Sequence, residues 1–261
     1  MESGLSAMGH LFDSARLTFE RAQHHIKDFD TAFNAFLADD PWTLLIDRQT
    51  EPGRSIFKVY FTRTLPETFP CIVFDAANNL RAVLDQAGYA AALASGKSAP
   101  KRTKFPFGND LAGLNNDIDG YKNCADIPPE VVTLFRNFKP YLGGNDTLWA
   151  LNKLCNTKKH CALIGLAMNG FTTEIITFAD SSTIITNATP TWDPKKFELT
   201  LFSVASEIEA DIRGNFAFQI AFDGIEALAG QSAISVLNAM SSVVERILVA
   251  AEWECRRLKL V

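Results

Sequence analysis

The sequence contains no C-x-x-C pair, no uninterrupted apolar run of membrane-spanning length and no block of like charge, and each absence removes a class of protein. Five cysteines in 261 residues are few and odd in number. A disulfide framework is therefore not expected, and with no leader of the secretory type the chain is read as cytoplasmic. The most apolar long window, Ala233 to Ala251, is broken by Asn238, Glu245 and Arg246, which describes a helix with one buried face rather than a membrane span. The net charge is −5, and basic residues are dispersed, with Lys101 to Lys104 and the Arg256-Arg257 pair among the few tight clusters. That balance favours a protein or small-ligand partner over nucleic acid, with no membrane partner. No internal repeat is visible.

What is present is ordinary globular material. Hydrophobic residues make up 47% and charged residues 21%, enough to build a core without metal or disulfide staples. From Met8 to Phe36 the apolar positions Phe12, Ala15, Phe19, Ala22, Ile26, Phe29 and Phe33 alternate steps of four and three, predicting a long helix with an aromatic seam that ends before Pro41. Trp42 to Gln49 and Arg54 to Arg63 read as the two strands of a hairpin across Glu51-Pro52-Gly53. A second helix is predicted over Asp75 to Ala94, with Val73, Ala77, Leu80, Leu84, Ala87 and Ala91 forming a narrow stripe. Between Ser95 and Ile127 no period is sustained, so that stretch reads as a long loop. Pro128-Pro129-Glu130 opens a short helix, and Gly143-Gly144-Asn145-Asp146 turns into another with Asp146 as its expected N-cap.

Beyond His160 the pattern changes to strands. Ala162 to Met168 and Phe171 to Phe178 flank Asn169-Gly170, the expected turn of a tight hairpin. Ser182 to Asn187, Phe197 to Val204 and Asn215 to Phe222 follow, and Gln231 to Leu258 is expected as a terminal helix packed on the apolar face of a single sheet. The expected fold class is α+β: a helical N-terminal half with a β-hairpin, then a mainly antiparallel sheet of about five strands and a long C-terminal helix. We expect one domain over residues 1–261, divisible into a mainly helical 1–160 and a sheet-plus-helix 161–261.

Three motifs have plainer explanations than the chemistry they suggest. Gly96-Lys97-Ser98 ends a relaxed phosphate-loop pattern, yet a helix precedes it and Pro100 follows, so Gly96 is better explained as a helix C-cap. Asn115, Asp117, Asp119, Asn123 and Asp126, with Gly120 between, fall on calcium-loop spacing, but the first ligand is neutral and Lys122 occupies the usual apolar position; a solvated Asn/Asp turn is favoured. Cys155, His160 and Cys161 match no usual zinc spacing, and Cys124 is the only plausible fourth ligand. No metal and no cofactor are therefore expected.

A polar constellation remains. Asn78, Arg81 and Asp85 project from one side of the second helix, the last two at i, i+4. Asn152, Asn156, Lys159 and His160 gather on one side of the helix that follows Gly143. These residues carry a resemblance. The NNLRAVLD segment and the GGNDTLWALNKLCNTKKH segment are similar to an uncharacterised bacterial family with an asparagine-leucine-arginine…aspartate helix and a leucine-asparagine…lysine-histidine helix; members often carry arginine where Cys161 stands here. The resemblance implies a bacterial source and no assigned activity.

Two functions fit the constellation. In the first, the protein is a binding module with Asn78, Asp85, Asn152 and Asn156 as its polar cluster and a homodimer as an open option. Arg81 and Asp85 then form a buried pair fixing helix register. In the second, the protein resembles HEPN-type helical nucleases and cuts RNA without metal. His160 then moves the proton, and Arg81 or Lys159 stabilises the phosphorane. That type also needs an arginine a few residues before the histidine on the same helix; the nearest analogue is Lys153.

Overall fold

The computed structural model describes residues 3–158, 165–172, 176–178, 183–184, 191–193, 195–206, 210–212, 216–223 and 228–260. In chain order these form α1 (Ser3–Ala38), β1 (Trp42–Asp47), β2 (Arg54–Phe61), α2 (Thr68–Ala94), α3 (Leu111–Asn115) running directly into a π-helical turn at Asn116–Gly120, α4 (Pro129–Asn137), α5 (Asp146–Lys158), β3 (Gly165–Thr172), β4 (Ile176–Phe178), β5 (Thr183–Ile184), β6 (Thr191–Asp193), β7 (Glu198–Ala205), β8 (Ala210–Ile212), β9 (Phe216–Asp223) and α6 (Ala233–Arg257). The fold is α+β with a helical N-terminal half and a long C-terminal helix, and every pairing between these strands is antiparallel.

The chain forms two compact units. One comprises Met1–Phe29, Pro70–Ile164 and Ile234–Val261; the other comprises Asp30–Phe69 and Gly165–Ala233. Relative to a cut at residue 160, the early hairpin and the terminal helix have changed sides. The hairpin is grouped with the strands and α6 with the helices.

In the helical unit α2 is buried over a broad face. Val73, Ala76, Ala77, Leu80, Val83, Leu84, Ala87, Ala90 and Ala91 are each at most 1% exposed, so the expected narrow stripe is too modest. Alanines at 76, 87, 90 and 91 keep the helix slim enough for neighbours to pack close all round it. The helix also begins at Thr68, seven residues or about two turns earlier than expected, because Pro70 falls in the first turn, where its missing N–H has no partner to lose. Its end is the C-cap inferred from Gly96: φ is +89° there, Gly96 N–H donates to Leu93 O at 2.9 Å and Lys97 N–H to Ala92 O at 3.2 Å. These are the paired bonds of a Schellman motif. In α6 Leu237, Met240, Val244, Ile247, Ala251 and Cys255 are buried. By length and composition α6 could cross a membrane, and half of its apolar window is buried within the protein.

In the strand unit the order β1-β2-β7-β6 makes a four-stranded sheet, β3-β9 a two-stranded one and β5-β4-β8 a three-stranded one. Among the described residues the strands beyond residue 162 fall into three sheets rather than the one expected, and the early hairpin joins the largest. The Asn169-Gly170 hairpin does not form. β3 runs straight through both residues and pairs with β9 over eight positions, Asn169 opposite Gln219 and Gly170 opposite Phe218. A two-residue turn preference is local, and an eight-residue ladder outweighs it. The core of the largest sheet is aromatic: Phe57 stacks on Phe202 at 4.8 Å, and Phe61 meets Phe218 edge-on at 5.1 Å and Trp192 at 5.7 Å. On the opposite face Lys58 is only 8% exposed. Its Nζ lies 2.8 Å from Asp47 Oδ2 and 3.1 Å from Glu198 Oε2, binding β1, β2 and β7 together.

Candidate functional site

Within the helical unit the sequence places Arg81 and Asp85 one turn apart on α2, and the fold builds the rest around them. Arg81 Nη1 lies 2.8 Å from Asp85 Oδ1, too oblique for a hydrogen bond, and that nitrogen is enclosed without an aligned acceptor. Its Nε donates to Asn152 Oδ1 on α5 at 3.4 Å, and the same oxygen accepts from Asn156 Nδ2 at 3.1 Å. The guanidinium carbon sits 4.3 Å over the Phe107 ring, a cation–π arrangement that fixes the plane of the group. Arg81, Asn152 and Asn156 are thus brought together as the sequence suggested. Asn78 lies a turn away on the same side of α2, with no side-chain hydrogen bond among the described residues. Lys159 and His160 lie outside the described residues, as does Cys161.

Asp85 has a second task that the sequence did not reveal. Its Oδ1 accepts the backbone N–H of Phe105 at 2.8 Å, so the stretch read as a loop is tied to α2. Phe105 is buried and packs on Phe107 at 5.0 Å and Phe135 at 4.7 Å. Phe105-Pro106-Phe107, an aromatic pair inside a polar stretch, was the available signal. The Arg81–Asp85 pair is also more open than expected, with side-chain exposures of 20% and 40%. Its Coulomb term is correspondingly weakened by solvent. We therefore expect Asp85→Ala to cost about 1–2 kcal/mol, chiefly through the lost Phe105 anchor, rather than the larger penalty of a buried orphan charge. Hydrogen exchange would check this: amides around Phe105 to Gly108 should lose protection while those of α6 keep theirs. Uniform loosening of both would refute the anchor.

The calcium-spaced oxygens are dispersed. Asp117 Oδ1 accepts from Asn123 Nδ2 at 2.6 Å, Asp119 pairs with Arg136 at 2.9 Å, and Asp126 Oδ2 accepts the backbone N–H groups of Lys101 and Arg102 at 2.9 and 3.0 Å. Those two amides, with Lys97 adding a smaller effect, hold the Asp126 carboxyl below the usual range. Cys124 is buried, and burial followed by the nearby Asp117 charge raises its thiol pKa, so it is a poor nucleophile or ligand. Cys155 is buried in α5. No His/Cys/Asp/Glu cluster able to hold a metal occurs among the described residues. The expected cap of α5 moves by one residue: Asn145 Oδ1 accepts Leu148 N–H at 3.1 Å, while Asp146 Oδ1 accepts Gly143 N–H and closes the preceding turn.

Comparison of the chain with protein-family models, curated proteins and solved structures gave no match.

Proposed function

We propose that the protein is a bacterial cytoplasmic binding module whose helical unit recognises a protein or small ligand offering a hydrogen-bond acceptor, through Asn78, Arg81, Asn152 and Asn156. The observation that carries this reading is the Arg81 guanidinium: Phe107, Asn152 and Asp85 fix its orientation while its side chain stays 20% exposed. A donor prepared in this way costs nothing to orient when an acceptor arrives. The bacterial assignment rests on the resemblance of the α2 and α5 segments. The cytoplasmic one is supported by free thiols at Cys124 and Cys255, and the apolar face that α6 buries inside the protein supports a module that works away from membranes. No cofactor enters the reading.

Thermal melts of the full chain against acetate, succinate and inorganic phosphate test it. Specific binding raises Tm by mass action, so at least one probe should shift the wild type and fail to shift the exposed-site variant Asn156→Ala. The opposing outcome is RNA cleavage in chelator by the wild type, lost in a folded His160→Ala variant, with no probe changing Tm. That result would replace binding by acid–base catalysis.

A further inference from the structure

We propose that the segment from Lys97 to Lys104, with Tyr121 and Lys122 beside it, is a docking surface for single-stranded nucleic acid. The surface lies within the helical unit and makes no use of Arg81, so it is independent of the binding site described above. Between Asp85 and Asp110 the chain has no acidic residue, and its only charges are Lys97, Lys101, Arg102 and Lys104, all exposed. Lys101, Arg102, Lys104 and the exposed Lys122 form no ion pair or side-chain hydrogen bond among the described residues. The other exposed arginines without an ion pair among the described residues, Arg21, Arg48 and Arg246, each directly follow an acidic residue. The overall negative charge of the chain is therefore carried elsewhere, and the fold leaves this surface locally positive.

The backbone holds these cations in place before any partner arrives. Asp126 N–H donates to Arg102 O at 3.0 Å and Lys104 N–H to Asn123 O at 3.1 Å, while Asp126 Oδ2 accepts the amides of Lys101 and Arg102. Thr103 and Phe105 are buried, so alternation turns Arg102 and Lys104 outward together. The carboxylates of the adjoining segment are engaged: Asp126 also meets Lys97 at 3.4 Å, Asp117 holds Asn123 and the Phe107 amide, and Asp119 pairs with Arg136. Tyr121 is 71% exposed and stands two residues before Asn123, at the Lys104 end of this short ladder. A protein partner would need buried aliphatic or aromatic anchors, and lysine is depleted at the centre of such interfaces. Here lysines dominate and the exposed residues from Ser95 to Lys104 include no large apolar side chain. A phosphate backbone needs only cations, and an unstacked base needs an open aromatic face such as Tyr121.

Fluorescence anisotropy of a labelled oligothymidylate, titrated with the full chain in chelator, tests the assignment. Affinity should fall with salt, with a log–log slope of about −0.7 per phosphate neutralised, or roughly −3 for the four unpaired cations. The double variant Arg102→Ala, Lys104→Ala should bind about tenfold more weakly, with unchanged circular dichroism and a slope reduced by about 1.4. Tyr121→Ala should weaken binding about fivefold or more and leave the slope alone, since stacking releases no counterion. Lys122 holds φ at +54°, a left-handed conformation that asparagine adopts more readily. Lys122→Asn should therefore keep or raise Tm while weakening binding, which separates the charge from a structural role. No binding at low salt, an affinity indifferent to the double variant or to Tyr121→Ala, or equal binding of an oligoglutamate of matched charge would each overturn the proposal.

Discussion

Lys58→Met is expected to destabilise the protein by about 2 kcal/mol or more at neutral pH, despite adding an apolar side chain of similar length. The substitution leaves the Asp47 and Glu198 carboxylates facing each other across β2, with side-chain exposures of only 21% and 20%. Water screens part of that repulsion, which keeps the expected loss below that of a fully buried pair. Removing the carboxylates as well, with Asp47→Asn and Glu198→Gln, should recover part of the loss, since charges without a partner cause it. Urea melts of the three proteins would decide the matter; a single variant as stable as the wild type would show that the three-strand bridge contributes nothing.

The same bridge makes a statement about pH. The Lys58 hydrogen bond is the largest influence on Asp47, followed by the Thr50 hydroxyl and the amides of Gln49 and Thr50, and together they depress its pKa well below the ordinary 3.8. A depressed carboxylate stabilises the fold fully above its unfolded value, and that contribution fades as pH falls through the ordinary range toward the folded value. Lys58 is raised above its ordinary 10.5, chiefly by the Asp47 hydrogen bond, against the opposing effect of burial. Its contribution is complete below that value and is lost only as pH climbs through the raised one. Wild-type stability should therefore fall below the ordinary carboxylate range, and Lys58→Met should show a shallower acid slope.

Gly88→Ala should also destabilise, although replacing glycine by alanine inside a helix ordinarily gains about 1 kcal/mol. A Cβ at residue 88 would lie 2.4 Å from Thr103 O and 2.8 Å from Ile127 Cδ1. The side-chain contact could yield by rotation, but the carbonyl cannot move alone. Arg102 N–H is held by Asp126, Lys104 N–H by Asn123 O at 3.1 Å and Phe105 N–H by Asp85. Overpacking against such an anchored backbone costs about 1–3 kcal/mol beyond the lost propensity gain. Differential scanning calorimetry should show a lower Tm, and exchange should show the 101–105 amides losing protection first. A variant more stable than the wild type would mean that the 101–105 segment is free to lift from α2.

Much of the local structure was legible because it is set by near neighbours. The alternating steps of Phe12, Ala15, Phe19, Ala22, Ile26 and Phe29 produce α1, and all six side chains are buried. The C-cap at Gly96, the proline start of α4 and the first hairpin follow from conformational preferences acting within a few residues. At the site, the α2 spacing placed Arg81 beside Asp85, and the α5 spacing placed Asn152 beside Asn156, before any fold was known.

The remainder depends on partners far away in the chain. Asn169-Gly170 has the strongest local turn preference in the sequence, yet β9, some fifty positions later, draws both residues into a straight strand. Lys58 alternates with the buried Phe57 and Val59, and only the arrival of Glu198 beside Asp47 makes its burial on the other face affordable. Phe107 reaches Arg81 because Asp85 accepts the Phe105 amide, a bond across twenty residues for which no periodicity exists. Helices, caps and short turns were settled by the sequence itself, since their energies come from neighbours within a turn or two. Strand partners, the grouping of α6 with the helices and the surroundings of Arg81 were decided by the tertiary structure, because ladder bonds and ion pairs take their energy from whichever distant groups the completed fold brings within reach.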